Sequence, residues 1–175
     1  KNIYLLLLLV NLKRGDILIS VGRLIPSKGH LMLLEALSNI IDNYPNTKLW
    51  IVGEGPEREV LEYEIRKKEL VDHVVLLGRR RDVPAVLAKA SIYVSASEWE
   101  GMSNAVLEGM ASGLPAVVGD APGVSECHID GVTGLIVDRN PEALAQGVCE
   151  LLGNQSLAAS LGKHSRAHVG EKYSI

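Results

Sequence analysis

From residue 17 onward, short apolar runs alternate with segments whose apolar residues recur every three to four positions. "DILISVG" is a continuous apolar run ending at Gly22, the pattern of a strand buried on both faces. "KGHLMLLEALSNIIDNYP" places Leu31, Leu34, Leu37 and Ile41 at helical spacing, and Pro45 stops it. "TKLWIVG" predicts a second strand. Pro56 suits the first turn of a helix running to about Glu69. "HVVLLG" predicts a third strand, and Asp82 is placed to cap a short helix that tolerates Pro84 in its first turn. "ASIYVSA" predicts the fourth strand, followed by a helix from about Asn104 to Ser112. "LPAVVG" and the shorter "TGLIVD" complete the set of strands. Asp138 or Asn140 can cap the helix that starts at Pro141 and runs to about Leu152, and a last helical segment spans roughly Leu157 to Tyr173.

This βαβα alternation predicts an α/β fold: a Rossmann-like parallel sheet of about six strands with helices on both faces. No internal repeat, low-complexity segment or second domain is visible. Such sheets bind ligands outside the carboxyl ends of their strands. The polar and glycine-rich turns Gly22–Arg23, Gly53–Gly55, Gly78–Arg79, Ser97–Ser103 and Gly119–Ser125 all fall at those ends and gather on one rim.

Size and composition narrow the function. The 175 residues suffice for one domain with a substantial core. A net charge of -3 gives no reason to expect a nucleic-acid partner. Cys127 and Cys149 have neither metal-site nor redox spacing and read as free thiols, in keeping with a cytoplasmic setting. The histidines are scattered and no HExxH is present, so no metal site is expected. The apolar run Ile3–Val10 is far shorter than the roughly 20 residues of a membrane span, and it lacks the flanks of a signal peptide.

On the rim, "VGRLIPSKG" puts Arg23 and Lys28 on either side of a strand-to-helix turn, where a guanidinium and an ammonium together suit a diphosphate. Two solvated cations are the plainer reading, although a positive charge near a helix start is slightly unfavourable. Gly53 and Gly55 permit close backbone approach to a ligand or simply a tight turn. No GxGxxG follows the first strand and no GxxxxGK[ST] occurs, which removes weight from dinucleotide and P-loop readings. Glu100 and Glu108 flank a helix mouth formed by Gly101, Met102, Ser103 and Asn104. Helix-mouth N–H groups suit phosphate or sugar oxygens, and each carboxylate accepts vicinal hydroxyls. By spacing alone the pair also reads as a surface Glu100 and a helix-face Glu108. The Arg79–Arg81 triplet is a solvated turn or a contact for a base, phosphate or acidic group.

The combination of "VGRLIPSKG", "LWIVGEGPE", "VVLLGRRRDVPAVLAKASIYVSAS", "EGMSNAVLEGMASGLPAVV" and "DGVTGLIV" resembles the carboxyl-terminal, donor-binding domain of GT-B glycosyltransferases of the large retaining group 1 family. The pieces occur in family order and cover roughly residues 16 to 173. The resemblance implies that Glu100 contacts the transferred sugar and Glu108 the nucleotide ribose. It implies that Arg23 and Lys28 bind the donor diphosphate, helped by Gly101, Met102, Ser103 and Asn104. It puts Gly53, Gly55, Gly78 and Arg79, with Arg80, near the base or ribose. Ser103 stands where the family often has Gly or Pro.

The resemblance further implies a retaining hexose transfer from a nucleoside diphosphate sugar without a metal cofactor. Residues 1–15 would be a terminal or interdomain linker and 16–175 the donor domain. The amino-terminal acceptor domain of an intact enzyme is absent from this sequence, so the isolated domain is expected to be inactive. A glycan, a lipid-linked sugar or a small molecule would serve as acceptor through that domain, in the cytoplasm or peripherally at its membrane face. Two other readings stay open: a sugar-nucleotide epimerase of the same fold, and a noncatalytic nucleotide-sugar binding module.

Overall fold

A computed structural model describes residues 17–100 and 104–173 of the chain. In chain order the elements are β1 (Ile17–Val21), a short 3-10 turn (Pro26–Lys28), α1 (His30–Ile41), β2 (Lys48–Val52), α2 (Arg58–Lys67), β3 (Val74–Gly78) and α3 (Val83–Leu87). They continue with β4 (Ile92–Ser95), α4 (Asn104–Ala111), β5 (Ala116–Gly119), α5 (Val124–Cys127), β6 (Gly134–Val137), α6 (Pro141–Gly153) and α7 (Gln155–Tyr173). The linker segment, the Ile3–Val10 run and the trio Gly101, Met102 and Ser103 lie outside the described residues.

The six strands form one sheet in the order β3-β2-β1-β4-β5-β6, and every neighbouring pair is parallel. This is the predicted doubly wound arrangement. The chain moves outward from β1 to β3, returns to the centre, and moves outward the other way from β4 to β6. The direction of winding therefore reverses between β1 and β4.

Both sheet faces are buried, and the two-residue side-chain period divides each apolar run between them. Leu18, Leu49, Ile51, Ile92, Val94 and Val117 face one layer, packed against Leu34 and Leu37 of α1, Leu61 and Ile65 of α2 and Leu144 and Val148 of α6. Ile17, Ile19, Trp50, Val52, Tyr93, Ala116 and Val118 face the other layer, with Val86 and Leu87 of α3 and Val124 of α5. Each fully buried Leu or Val contributes about 1.5–3 kcal/mol of transfer free energy. The absence of Phe is met by many small aliphatic contacts in place of a few large rings.

Helix ends follow local chemistry and refine three expectations. α2 begins at Arg58, two residues beyond Pro56, because the Glu57 N–H is drawn into a bond to Leu24 O (3.0 Å). It ends at Lys67, since Glu69 adopts a left-handed φ of 56° and the Leu70 N–H bonds back to Ile65 O at 2.8 Å. Asp82 precedes α3 but its side chain does not cap the helix. Both of its oxygens accept instead from Arg80, from Nε at 2.8 Å and Nη2 at 2.7 Å. Of the two candidates for α6, Asn140 is the cap: its Oδ1 accepts the Ala143 N–H at 2.8 Å.

Candidate functional site

The winding reversal opens a crevice at the carboxyl ends of β1 and β4, and the loops there are tied together by backbone contacts. The 3-10 turn after β1 closes on Gly29, which has a left-handed φ of 66°. A Cβ on Gly29 would lie 2.2 Å from Ala96 O, so only glycine lets the two loops meet. The Glu98 N–H donates to Ser27 O at 2.8 Å, and the Glu100 N–H donates to Pro122 O at 2.8 Å. Arg139, just beyond β6, donates from Nε to Ala96 O at 2.9 Å. The loop after β4 is thus held from both sides.

Within it Glu100 is only 8% exposed. Ser95 Oγ donates to Glu100 Oε1 at 2.9 Å, and Ser97 Oγ lies 3.2 Å from Ser95 Oγ. The other oxygen, Oε2, is buried and has no hydrogen-bond partner among the described residues. Lys28 Nζ stands 3.7 Å from it, close enough for attraction and too far for a hydrogen bond. One oxygen is therefore anchored and the other is left with an unused acceptor in a desolvated place. Buried polar groups are seldom left so, because the unmade bond costs about 1–3 kcal/mol.

The surroundings carry the mark of that carboxylate. Burial, and then the Glu100 and Glu108 charges, push the Tyr93 phenol above its ordinary range. Burial, then the charges of Glu100 and Glu126, raise the Cys127 thiol. His128, 4% exposed, is held to about 4 chiefly by burial, with the Glu100 charge opposing. His30, at the start of α1, is also lowered to about 4, first by burial and then by the Lys28 charge.

The structure thus brings Lys28 and Glu100 together. Arg23 is exposed on the same loop as Lys28. Asn104 and Glu108 are exposed on α4, at its first residue and one turn further on. Gly53 and Gly55 serve the packing of neighbouring loops. A Cβ on Gly53, whose φ is 150°, would lie 1.8 Å from Gly22 O, and one on Gly55 would lie 2.4 Å from Leu24 O. Gly53 N–H also donates to Gly78 O at 2.9 Å. Gly78 and Arg79 stand at the end of β3, two strands away from β1 on the outer edge. Arg79 is exposed there, while the neighbouring Arg80 is closed on Asp82.

Ser95 and Ser97 were not legible as site residues. Their signal is a pair of hydroxyls in the apolar strand "IYVSAS", where a buried polar side chain needs a partner. Trp99, exposed beside Glu100, carries no comparable signal in the sequence.

Residues 10–168 match the family model for glycosyl transferases group 1. The chain belongs to this family. Among its relatives, it is 32% identical over 164 residues to the GDP-mannose-dependent alpha-(1-6)-phosphatidylinositol monomannoside mannosyltransferase of Mycolicibacterium smegmatis, covering 87% of this chain and 43% of that protein. It is 34% identical over 136 residues to the UDP-Gal:alpha-D-GlcNAc-diphosphoundecaprenol alpha-1,3-galactosyltransferase of Escherichia coli, covering 75% of this chain and 35% of the other. The chain thus spans less than half the length of these group 1 relatives. Among solved structures, a point mutant of S. aureus TarM in complex with fondaparinux, alpha-GlcNAc-glycerol and UDP superposes with a TM-score of 0.86 at 28% identity, over 94% of this chain and 34% of that one. The C-terminal domain of LpcC, a group 1 family protein from Francisella tularensis, shares the fold with a TM-score of 0.80 at 23% identity, over 91% of this chain and 87% of that one.

Proposed function

We propose that this chain is the donor-binding part of a glycosyltransferase that moves a hexose from a nucleoside diphosphate sugar to a hydroxyl acceptor with retention at the anomeric carbon. The observation that carries the reading is the buried Glu100, whose Oε2 has no hydrogen-bond partner among the described residues, with Lys28 beside it at the winding reversal. The two named relatives use GDP-mannose and UDP-galactose, which supports the donor class and leaves the base open.

In this reading Glu100 Oε2 accepts hydroxyls of the donor sugar while Ser95 holds the carboxylate in place. Arg23 and Lys28 grip the diphosphate and stabilise the charge that grows as it leaves, an electrostatic contribution aimed at the transition state. They carry the phosphate-facing charge in place of a metal ion. The anomeric C–O bond breaks and the diphosphate departs with the electron pair. The acceptor oxygen bonds the same carbon on the face just vacated, and its proton passes to a diphosphate oxygen. The Asn104 N–H, at the first residue of α4, adds a donor to the same charge. Glu108 meets the ribose, with Gly53, Gly55, Gly78 and Arg79 lining the base side. The acceptor enters from a second domain of the intact enzyme.

Calorimetric titration of the chain with UDP, GDP and ADP tests the reading. Saturable binding of one of them is expected, with the diphosphate much tighter than its nucleoside, and Arg23→Ala should weaken the diphosphate and spare the nucleoside. A folded chain that binds none of the three would overturn it.

A further inference from the structure

Trp99 is 60% exposed and sits immediately before Glu100. Other apolar side chains are also exposed: Val60 and Tyr63 on α2, Val71 in the turn after it, and Ile129 and Val132 in the loop before β6. Trp99 differs in its mounting. The residues on both sides of it are fixed by backbone hydrogen bonds, Glu98 N–H to Ser27 O and Glu100 N–H to Pro122 O, each 2.8 Å. A backbone held in place before its ligand arrives loses little freedom on binding.

The rim of Trp99 is polar. Glu98, the residue before it, pairs with Arg139, Oε1 to Nη2 at 3.7 Å. Lys28 and Glu100 stand close by as well. A flat apolar floor bordered by groups that donate to and accept from vicinal hydroxyls matches a pyranose, which has C–H bonds on one face and hydroxyls around its edge. A lipid surface or an amphipathic helix would call for apolar neighbours instead.

One cation covers this floor. Lys28 Nζ lies 5.9 Å from the Trp99 ring centroid, within cation–π range, and 3.7 Å from Glu100 Oε2. Its stem lies beside Gly22, Cδ being 3.5 Å from where a Cβ there would stand. Lysine is a single point charge on a flexible chain. A diphosphate that engages its N–H donors would pull it from one or both of these partners. We propose that Trp99 is the stacking face for a sugar ring of the acceptor, and that Lys28 caps it until a donor diphosphate draws the ammonium away. Donor arrival then frees Oε2 for donor hydroxyls and uncovers the ring, so donor binds before acceptor. The gating rests on the diphosphate role given to Lys28 above. The stacking face does not.

Acrylamide quenching of tryptophan emission reads this directly, because Trp50 is 5% exposed and Trp99 supplies the accessible signal. The nucleoside diphosphate found by calorimetry should raise the quenching slope of the wild-type chain and leave Trp99→Phe and Lys28→Met unchanged. With that nucleotide bound, at least one of glucose, galactose, mannose and N-acetylglucosamine should protect Trp99 from acrylamide. Lys28→Met should show the same protection without nucleotide, at an affinity roughly two- to five-fold above the nucleotide-free wild type, the worth of a cation–π contact at an exposed ring. Trp99→Tyr should retain the nucleotide affinity measured by calorimetry. Nucleotide binding by calorimetry with an unchanged quenching slope would overturn the gate. Failure of all four sugars to protect either the nucleotide-bound chain or Lys28→Met would overturn the stacking face. So would protection by dodecylphosphocholine micelles in place of sugars. Absence of any calorimetric binding would remove the donor reading and the gate with it, and the Lys28→Met sugar titration would then decide the stacking face by itself.

Discussion

At the winding reversal the loop after β4 buries Glu100 against Ser95 and leaves Oε2 unbonded among the described residues, whereas at the β3 edge the loop from Gly78 to Asp82 leaves Arg79 in solvent and closes Arg80 on Asp82. Both stretches lie on one rim and both carry several charges. They differ in what each charge lacks. Arg80 and Asp82 satisfy each other bidentately at a partly exposed place, where an ion pair adds little to stability. Glu100 is desolvated and half satisfied, and a ligand hydroxyl is the natural way to complete it. Unfinished bonding in a buried place, more than the number of charges, separates Glu100 from the Arg80–Asp82 pair on the same rim.

The largest expected effect breaks the comparison with acid. His30 and His128, both near the reversal, stand at about 4 in the folded chain against an ordinary 6.5. The unfolded chain therefore binds more protons below that value. Stability is full above about pH 6.5, falls as the pH drops, and levels off near 4, with roughly 3 kcal/mol lost for each ring. Urea midpoints measured at pH 7.5, 6, 5 and 4 check it. His128→Leu should remove about half of the pH slope, and a variant with the wild-type slope would sink the assignment.

The next effect tests whether the two parts of the rim are tied together. Gly53→Ala puts a methyl group into Gly22 O and strains the backbone, so it should cost about 3 kcal/mol. A variant with the wild-type urea midpoint would show that the loops yield easily. Ser95→Ala removes the only described hydrogen bond to the Glu100 carboxylate and should cost about 2 kcal/mol in urea unfolding. It should also weaken the nucleotide sugar more than the bare nucleotide. Equal losses for the two ligands would argue against Glu100 as the sugar contact. The smallest effect belongs to the outer edge: Asp82→Ala should leave both the urea midpoint and nucleotide affinity nearly unchanged, because the side chain caps nothing and a partly exposed ion pair adds little to stability.

Much of the fold was legible because a parallel sheet covered on both faces writes its strands as unbroken apolar runs, and all six were found within a residue or two. The misjudged details were set by competing local bonds. Asp82 has the composition of a cap, yet the guanidinium two residues earlier takes both its oxygens. Pro56 has the composition of a helix start, yet the loop after β1 claims the next N–H. Lys28 and Glu100 were picked out by residue type and motif. Ser95, Ser97 and Trp99 were not, since their importance depends on what lies beside them.

By itself the sequence determined the alternation of strands and helices, the gathering of polar turns at one end, and membership of the group 1 glycosyl transferases, because these rest on periodicity and on motifs in order. Only the tertiary structure decided which charges are unfinished. Lys28 and Glu100 stand far apart along the chain, and whether a carboxylate so placed is solvated or buried, paired or open, follows from the strand order that sets β1 beside β4. Solvation and Coulomb energies depend on distance through space, and the chain's one-dimensional order does not hold that distance.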